Sequence, residues 1–276
     1  AGGARAQGLL PQDRGGGSDK PVSITADNGI EWQQAKHVYI ARGNASATRG
    51  QDKVTADTLS AYYRSTDPAA PAAPKPGEGP ANEGATQVYR IVADGHVRFT
   101  APGETMTGGH AVYDLDTAAL VVTGPPLEIV TERQRITARD SLEWYDNKQL
   151  GVARGDAVAV EGDRMVRADV LTARVEKAAN GQSHIRRIDA TGHVLVSEPG
   201  EIARGDSGDY DLDTGIVTLA GNVRLTRGEN ELRGRYGVVD MKTGVSRLLA
   251  APPGAEVAGG GRVEGLIQPR HKAERE

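Results

Sequence analysis

The chain has 276 residues, 38% hydrophobic and 25% charged, with a formal charge of −4 at pH 7. That length allows one large or two ordinary domains, and the mild negative charge, with no basic patch interleaved with aromatics, excludes a general nucleic-acid binder. There is no cysteine, which excludes disulfides, thiolate nucleophiles and cysteine zinc sites.

Gly is abundant at 36 residues, Phe99 is the only Phe, and Val and Thr are frequent. This balance favours many short strands and tight turns over helices. No apolar run approaches the roughly 18 residues of a membrane-spanning helix. Along the chain, residues 1–20, with Gly15-Gly16-Gly17-Ser18, read as a flexible segment. Within them, Ala4-Arg5-Ala6 before Gln7 reads as the end of a signal peptide's cleavage site, with the peptide already removed. A first strand is expected from Val22 to Asp27, in the stretch Pro21-Val22-Ser23-Ile24-Thr25-Ala26-Asp27.

From here the chain repeats. Gly followed by Asn, His or Asp and then Val or Ala occurs at Gly43, Gly95, Gly155, Gly192 and Gly221, and Gly124-Pro125 holds one more such place. Successive spacings are 52, 29, 31, 37 and 29. The long gaps contain a Pro/Ala/Gly insertion over residues 65–86, expected to be disordered, and a lengthened turn at Asn180-Gly181. Without them the period is about 30 residues, and looking for such periods first is what separates a repeat fold from a motif. ITAD at Ile24, VTAD at Val54, ITARD at Ile136 and VRAD at Val166 fall on the same grid. Between the glycines apolar residues alternate, as in Val97-Arg98-Phe99 and Val223-Arg224-Leu225, the period of strands with one buried face. The Gly-Asn, Gly-His and Gly-Asp pairs are expected to form hairpins, because Gly, Asn, Asp and His tolerate positive φ. The tail, residues 251–276, reads as loosely ordered.

The pentapeptide Tyr113-Asp114-Leu115-Asp116-Thr117 returns at Tyr210 to Thr214, 97 residues on. Paired aspartates, and Asp213-Thr214-Gly215 in the second copy, bring an aspartic-protease site to mind. The equivalent places elsewhere read Trp144-Tyr145-Asp146-Asn147-Lys148 and Val239-Asp240-Met241-Lys242-Thr243. A second carboxylate that becomes Asn147 or Lys242 within one chain is not half of an acid/base pair. A first Asp that persists fits a turn whose side chain accepts from backbone amides. His96 and His193 stand where Asn44, Asp156 and Asn222 stand in other units, and no histidine spacing matches a metal site. The sequence therefore carries no catalytic residue, metal site or cofactor motif, and the chain is not expected to be an enzyme.

These repeats resemble the lipopolysaccharide-transport β-jelly-roll family, LptA/OstA with its relatives LptC and the N-terminal part of LptD. The resemblance rests on the Pro21 to Asp27 stretch, Ala41-Arg42-Gly43-Asn44-Ala45 with Val54-Thr55-Ala56-Asp57, and Ala111-Val112-Tyr113-Asp114 with Leu120-Val121-Val122-Thr123-Gly124. It closes on Thr218-Leu219-Ala220-Gly221-Asn222-Val223 with Leu232-Arg233-Gly234. The resemblance implies an all-β fold over residues 21–250: an elongated, twisted jelly roll of two antiparallel sheets, open at both ends. It also implies a periplasmic protein that holds the lipid A acyl chains of lipopolysaccharide in an apolar trough. Such a protein joins head to tail with itself, and with LptC-like inner-membrane and LptD-like outer-membrane partners, through its edge strands. Period two and equivalence between units place Ile24, Ile40, Val97, Phe99, Tyr113, Leu120, Val122, Val194, Val196 and Tyr210 on the inward face, where lipid would lie. On the residues alone, a closed sandwich with a structural or adhesive role stays open as an alternative. A hydrolase acting on envelope carbohydrate is the more distant one.

Overall fold

The computed structural model describes residues 22–65, 86–177, 183–240, 242–243, 245–252 and 262–266. The expected flexible segment 1–20, the interior of the 65–86 insertion and most of the 251–276 tail lie outside them. The chain is built of antiparallel strands. β1 (Ser23–Thr25) and β2 (Ile30–Gln33) are short and β3 (Val38–Arg49), β4 (Asp52–Ser65), β5 (Thr86–Ala101) and β6 (Glu104–Asp114) long. A run of short strands follows: β7 (Ala119–Thr123), β8 (Glu128–Thr131), β9 (Gln134–Thr137) and β10 (Ser141–Tyr145). Long strands then resume with β11 (Leu150–Glu161), β12 (Arg164–Lys177), β13 (Ser183–Glu198), β14 (Glu201–Asp211), β15 (Ile216–Arg227) and β16 (Asn230–Asp240). β17 (Val245–Leu249) and β18 (Glu264–Leu266) complete the order.

Each long strand serves two ladders, bending between them at a bulge in its middle. The register of β3 on β4 jumps between Arg42 and Ala45, that of β5 on β6 between Asp94 and Val97, and that of β15 on β16 between Ala220 and Val223. The Gly pairs expected to be hairpins are these mid-strand corners. The positive φ was the right inference, but both residues sit inside a continuous strand and turn it from one ladder into the other, as β-bulges do. The hairpins lie elsewhere, as at Pro102-Gly103 between the paired Ala101 and Glu104 and Pro199-Gly200 between the paired Glu198 and Glu201.

The short strands are corner-broken versions of long ones. β1 and β2 pair with the two halves of β3, β8 and β7 with the two halves of β6, and β18 and β17 with the two halves of β16. Between β7 and β8 stand Pro125 and Pro126, which have no N–H to give a ladder. Because β8 pairs with β9 and β7 with β10, the ladders run unbroken through the middle of the chain.

Tandem duplication underlies this order. Adding 112 carries Trp32 onto Trp144, Ala41-Arg42-Gly43 onto Ala153-Arg154-Gly155, and Ala56-Asp57 onto Ala168-Asp169. A one-turn 3-10 helix precedes both β3 and β11, at Gln34–Lys36 and Asp146–Lys148. After the insertion the offset becomes 97, as in the repeated pentapeptide. The first module thus runs from β1 to β8, and the second opens with β9 and β10 in the places of β1 and β2.

What fixes the corner is a second residue type. Opposite Gly95-His96 lies Asp57, whose Oδ2 is 2.9 Å from His96 Nδ1. Opposite Gly192-His193 lies Asp169, also at 2.9 Å. Asn44 donates to Asp27 at 2.7 Å and Asn222 to Asp206 at 2.8 Å. The TAD, TARD and RAD markers of the sequence are therefore the other half of four corners, and Asp206 takes that place opposite Gly221-Asn222. The carboxylate occupies the space a Cβ would need: one built on Gly192 would fall 2.1 Å from Asp169 Oδ2, with φ at +78°. Gly200, in a hairpin at φ +83°, has open space instead.

Gly192→Ala should therefore cost about 3 kcal/mol, combining backbone strain with displacement of Asp169, whereas Gly200→Ala should cost about 1 kcal/mol from conformation alone. Urea unfolding midpoints would measure both, and equal losses would show that the carboxylate contact is immaterial.

Candidate functional site

The two ladders face each other across an apolar interior that is tight at the corner and looser toward the free rims. Ala45, Ala56, Val97, Ala157, Ala168 and Val194, beside the corners, are buried to 5% exposure or less. Two residues outward on the same face stand Ala47, Val54, Phe99, Ala159, Val166 and Val196, all only half-buried against that core. Small side chains explain the tight end. A Cβ on Gly108 of one ladder would meet Val122 Cγ1 of the other at 2.4 Å, and one on Gly237 would meet Val223 Cγ1 at 3.2 Å. With Phe99 the one aromatic in that row, apolar surface there stays partly open.

The structure distributes the ten residues picked from the sequence along this gradient. Val97, Leu120, Val122 and Val194 lie in the buried core, and Phe99, Tyr113 and Val196 pack half-buried against it. Tyr210 is half-buried on the same face as Ile188, which packs on the core. Ile24, on the first rung, is 44% exposed. Ile40 is buried opposite Ser60 and shares no face with Ala41, the neighbour that joins the core.

The carboxylates that looked catalytic fasten turns. Asp114 Oδ1 accepts from Thr117 N and Oγ1, both at 2.9 Å, and Asp211 repeats this on Thr214 at 2.8 and 2.9 Å. Asp240 accepts from the amides of Lys242 and Thr243. The Thr117, Thr214 and Thr243 amides hold these three carboxyls below the ordinary carboxylate range. Asp116 instead receives both terminal nitrogens of Arg64 at 2.8 Å. Among the described residues no three His, Asp or Glu side chains gather as a metal site.

Sequence reasoning did not single out Glu104. It begins β6 at the rim of the first ladder, the one that takes in β1, β8, β9 and β18, on the face of Met106, and its Oε2 is buried with no hydrogen-bond partner. Burial, with no charge beside it, pushes this carboxyl up to about 8 from its ordinary 4.5. The signal that could have found it is the second copy, where Glu201 in the same Pro-Gly-Glu context has Arg227 opposite.

Residues 135–245 match the family described as LptA/(LptD N-terminal domain) LPS transport protein. That segment is similar to this family, and the rest of the chain lies outside the match. It opens in β9 and closes at the start of β17, so the family match falls on the second module. An uncharacterized protein of Rhizobium meliloti (strain 1021) is 28% identical over 138 residues, which are 48% of this chain and 70% of that protein. LptH of Pseudomonas aeruginosa, described as the LptA-homologous periplasmic component of a lipopolysaccharide transport device, is 20% identical. Its alignment takes in 49% of this chain and 95% of LptH at a TM-score of 0.43.

Two titrations follow. Glu104 is neutral when folded and ionises when unfolded, so its contribution is fully present below about 4.5 and is lost as pH rises toward about 8. Glu104→Gln should gain on the parent over that window by a few kcal/mol in order of magnitude, at ~1.4 kcal/mol per pH unit, and change no further above it. Denaturant unfolding at pH 5, 6.5 and 8 would show this, and a constant difference would mean the carboxyl is solvated. The turn aspartates run oppositely: their stabilisation is present above the ordinary carboxylate range and is lost as pH falls through their lowered values. The melting-temperature gap between parent and an Asp114→Ala/Asp211→Ala double variant should therefore narrow from pH 5 to pH 2.

Proposed function

We propose that the chain is a periplasmic lipopolysaccharide-binding transport protein that holds lipid A acyl chains along its half-open inner face. In this reading it extends head to tail between inner- and outer-membrane partners of the LptC and LptD kind. The observation that carries the binding half is the row Ala47, Val54, Phe99, Ala159, Val166 and Val196. These inward apolar side chains recur in both modules and remain half-buried, with tight packing confined to the corner. A closed sandwich would bury them. An acyl chain laid along the row gains about 0.8 kcal/mol per buried methylene, which requires no specific polar contact.

The assembly half rests on the junction between modules. There β7 pairs with β10 through Val122↔Leu142 and Leu120↔Trp144, and β8 with β9 through Ile129↔Ile136. Since β9 and β10 stand in the second module where β1 and β2 stand in the first, this junction is a worked example of one module's trailing edge receiving another's leading edge. β1 and β2 pair only with β3, and β17 and β18 only with β16, among the described residues. Exposed Ile24 and Ile30 at one end and Val245 and Leu266 at the other offer apolar surface beside those edges. Joining unlike ends is heterologous and continues without closing.

Photo-crosslinking groups at Phe99 and Val196 should capture added lipopolysaccharide, and one at the outward Arg98 should not. Equal labelling at all three would sink the inner-face assignment. For assembly, Ser246→Pro removes an edge donor from β17 and should shorten the concentration-dependent oligomers seen by light scattering. A parent chain that stays monomeric at millimolar concentration and takes no edge partner would end the bridging part.

A further inference from the structure

Along the rim of the first ladder, the inward-facing row ends in polar side chains, and these pair across neighbouring strands. Gln134 Nε2 donates to Glu161 Oε2 at 3.3 Å, Arg164 Nε lies 3.6 Å from Glu198 Oε1, and Arg227 Nε donates to Glu201 Oε2 at 2.9 Å. Each carboxylate on this belt thus meets a donor from the next strand, and at Glu201 the donor is a guanidinium.

Glu104 stands where Glu201 stands, 97 residues earlier and after the same Pro-Gly turn. Its cross-strand neighbours on the same face are Ala101 on β5 and Thr131 on β8. Neither carries charge. The Thr131 hydroxyl is committed to its own hairpin, accepting from Gln134 N at 3.0 Å and donating to Gln134 O at 3.3 Å. The next inward residues, Phe99, Met106 and Ile129, are apolar. Of this set, then, Glu104 alone has lost the cation that its copy keeps, and its Oε2 is buried without a partner.

We infer that Glu104 is the head-group contact of the trough: the place where an amphiphile bearing a primary ammonium group seats that group, its acyl chain running inward over Phe99, Met106 and Ile129. An ammonium at this place would stand in for the Arg227 guanidinium of the second module. It would leave Glu104 charged and paired, which is how a carboxylate is accommodated at low water content. The chemistry favours a cation over a neutral hydroxyl because the equivalent rung is already built around one. This rests on the lipid-carrier reading of the inner face.

Displacement of the apolar dye N-phenyl-1-naphthylamine from the full chain at pH 7.5 tests it, using dodecylamine, dodecanol and sodium dodecanoate below their aggregation limits. The expected result is that dodecylamine displaces the dye at a concentration at least about ten-fold lower than either other probe. Glu104→Gln, close in shape, should remove that preference while dodecanol still competes within about two-fold. Thr131→Arg, which restores the pairing of the second module, should remove it as well. Equal competition by the three probes in the parent chain, or a preference that survives both substitutions, overturns the head-group assignment while leaving the acyl-chain trough standing. If no probe displaces the dye and none binds, the trough reading fails and takes this assignment with it.

Discussion

Everything in this fold depends on bending a strand without breaking its ladder. A β-strand of sixteen residues such as β5, left straight, would only extend a sheet with no interior. Two successive residues at positive φ in mid-strand turn it, and a carboxylate from the adjacent strand fills the space that the missing Cβ leaves and binds the side chain that follows. Gly95-His96 with Asp57, and Gly192-His193 with Asp169, show the same arrangement in both modules. Each half needs the other. Glycine alone would make the strand flexible at that point, and the aspartate alone would have no room.

Once the corners line up, they set the character of the interior. Backbones approach closely there, so Gly, Ala and Val dominate, with Leu59 and Leu171 each set between two alanines, and volume is filled by chain instead of by rings. Farther out the ladders diverge, and a chain with a single Phe has little with which to fill the gap. The gradient from sealed to half-open is thus a consequence of one bend angle and a small-residue composition. Aromatic side chains gather mostly on the second ladder, as in the stacked Trp32 and Tyr39 with Tyr63 nearby. There their polar ends find partners such as Trp32 Nε1 on Tyr63 Oη.

Much of this was written plainly in the residues. Period two between recurrent Gly pairs announces antiparallel strands, and the drift of Asp116 to Asn147 and Lys242 announces a turn in place of a catalytic pair. What period two could not reveal is that the Gly pair bends a strand instead of ending it, since positive φ serves hairpin and bulge alike. Ile40, expected on the inward face, is buried opposite Ser60, and its neighbour Ala41 joins the core instead. Glu104 escaped because its oddness lies in the identity of a cross-strand neighbour, Thr131 in place of Arg227, and such pairs become visible only once the register is known. The duplication at 112 was hidden by the insertion, which changes the offset to 97 partway along.

The junction of the two modules has a mechanical meaning. The strands lie across the long axis, so tension applied between the ends passes through every rung in series, and each rung bears the whole load. β12 and β13 meet it with registers running from Met165 to Lys177. At the junction β7 has 5 residues and β8 has 4, and Pro125 and Pro126 between them have no amide hydrogen to share the strain. A chain loaded between β3 and β16 would therefore part first at its middle, where the registers are the shortest between those strands. It would yield two modules with their corners intact and a fresh pair of complementary edges facing each other across the break, so that the same contact could re-form when the load is removed.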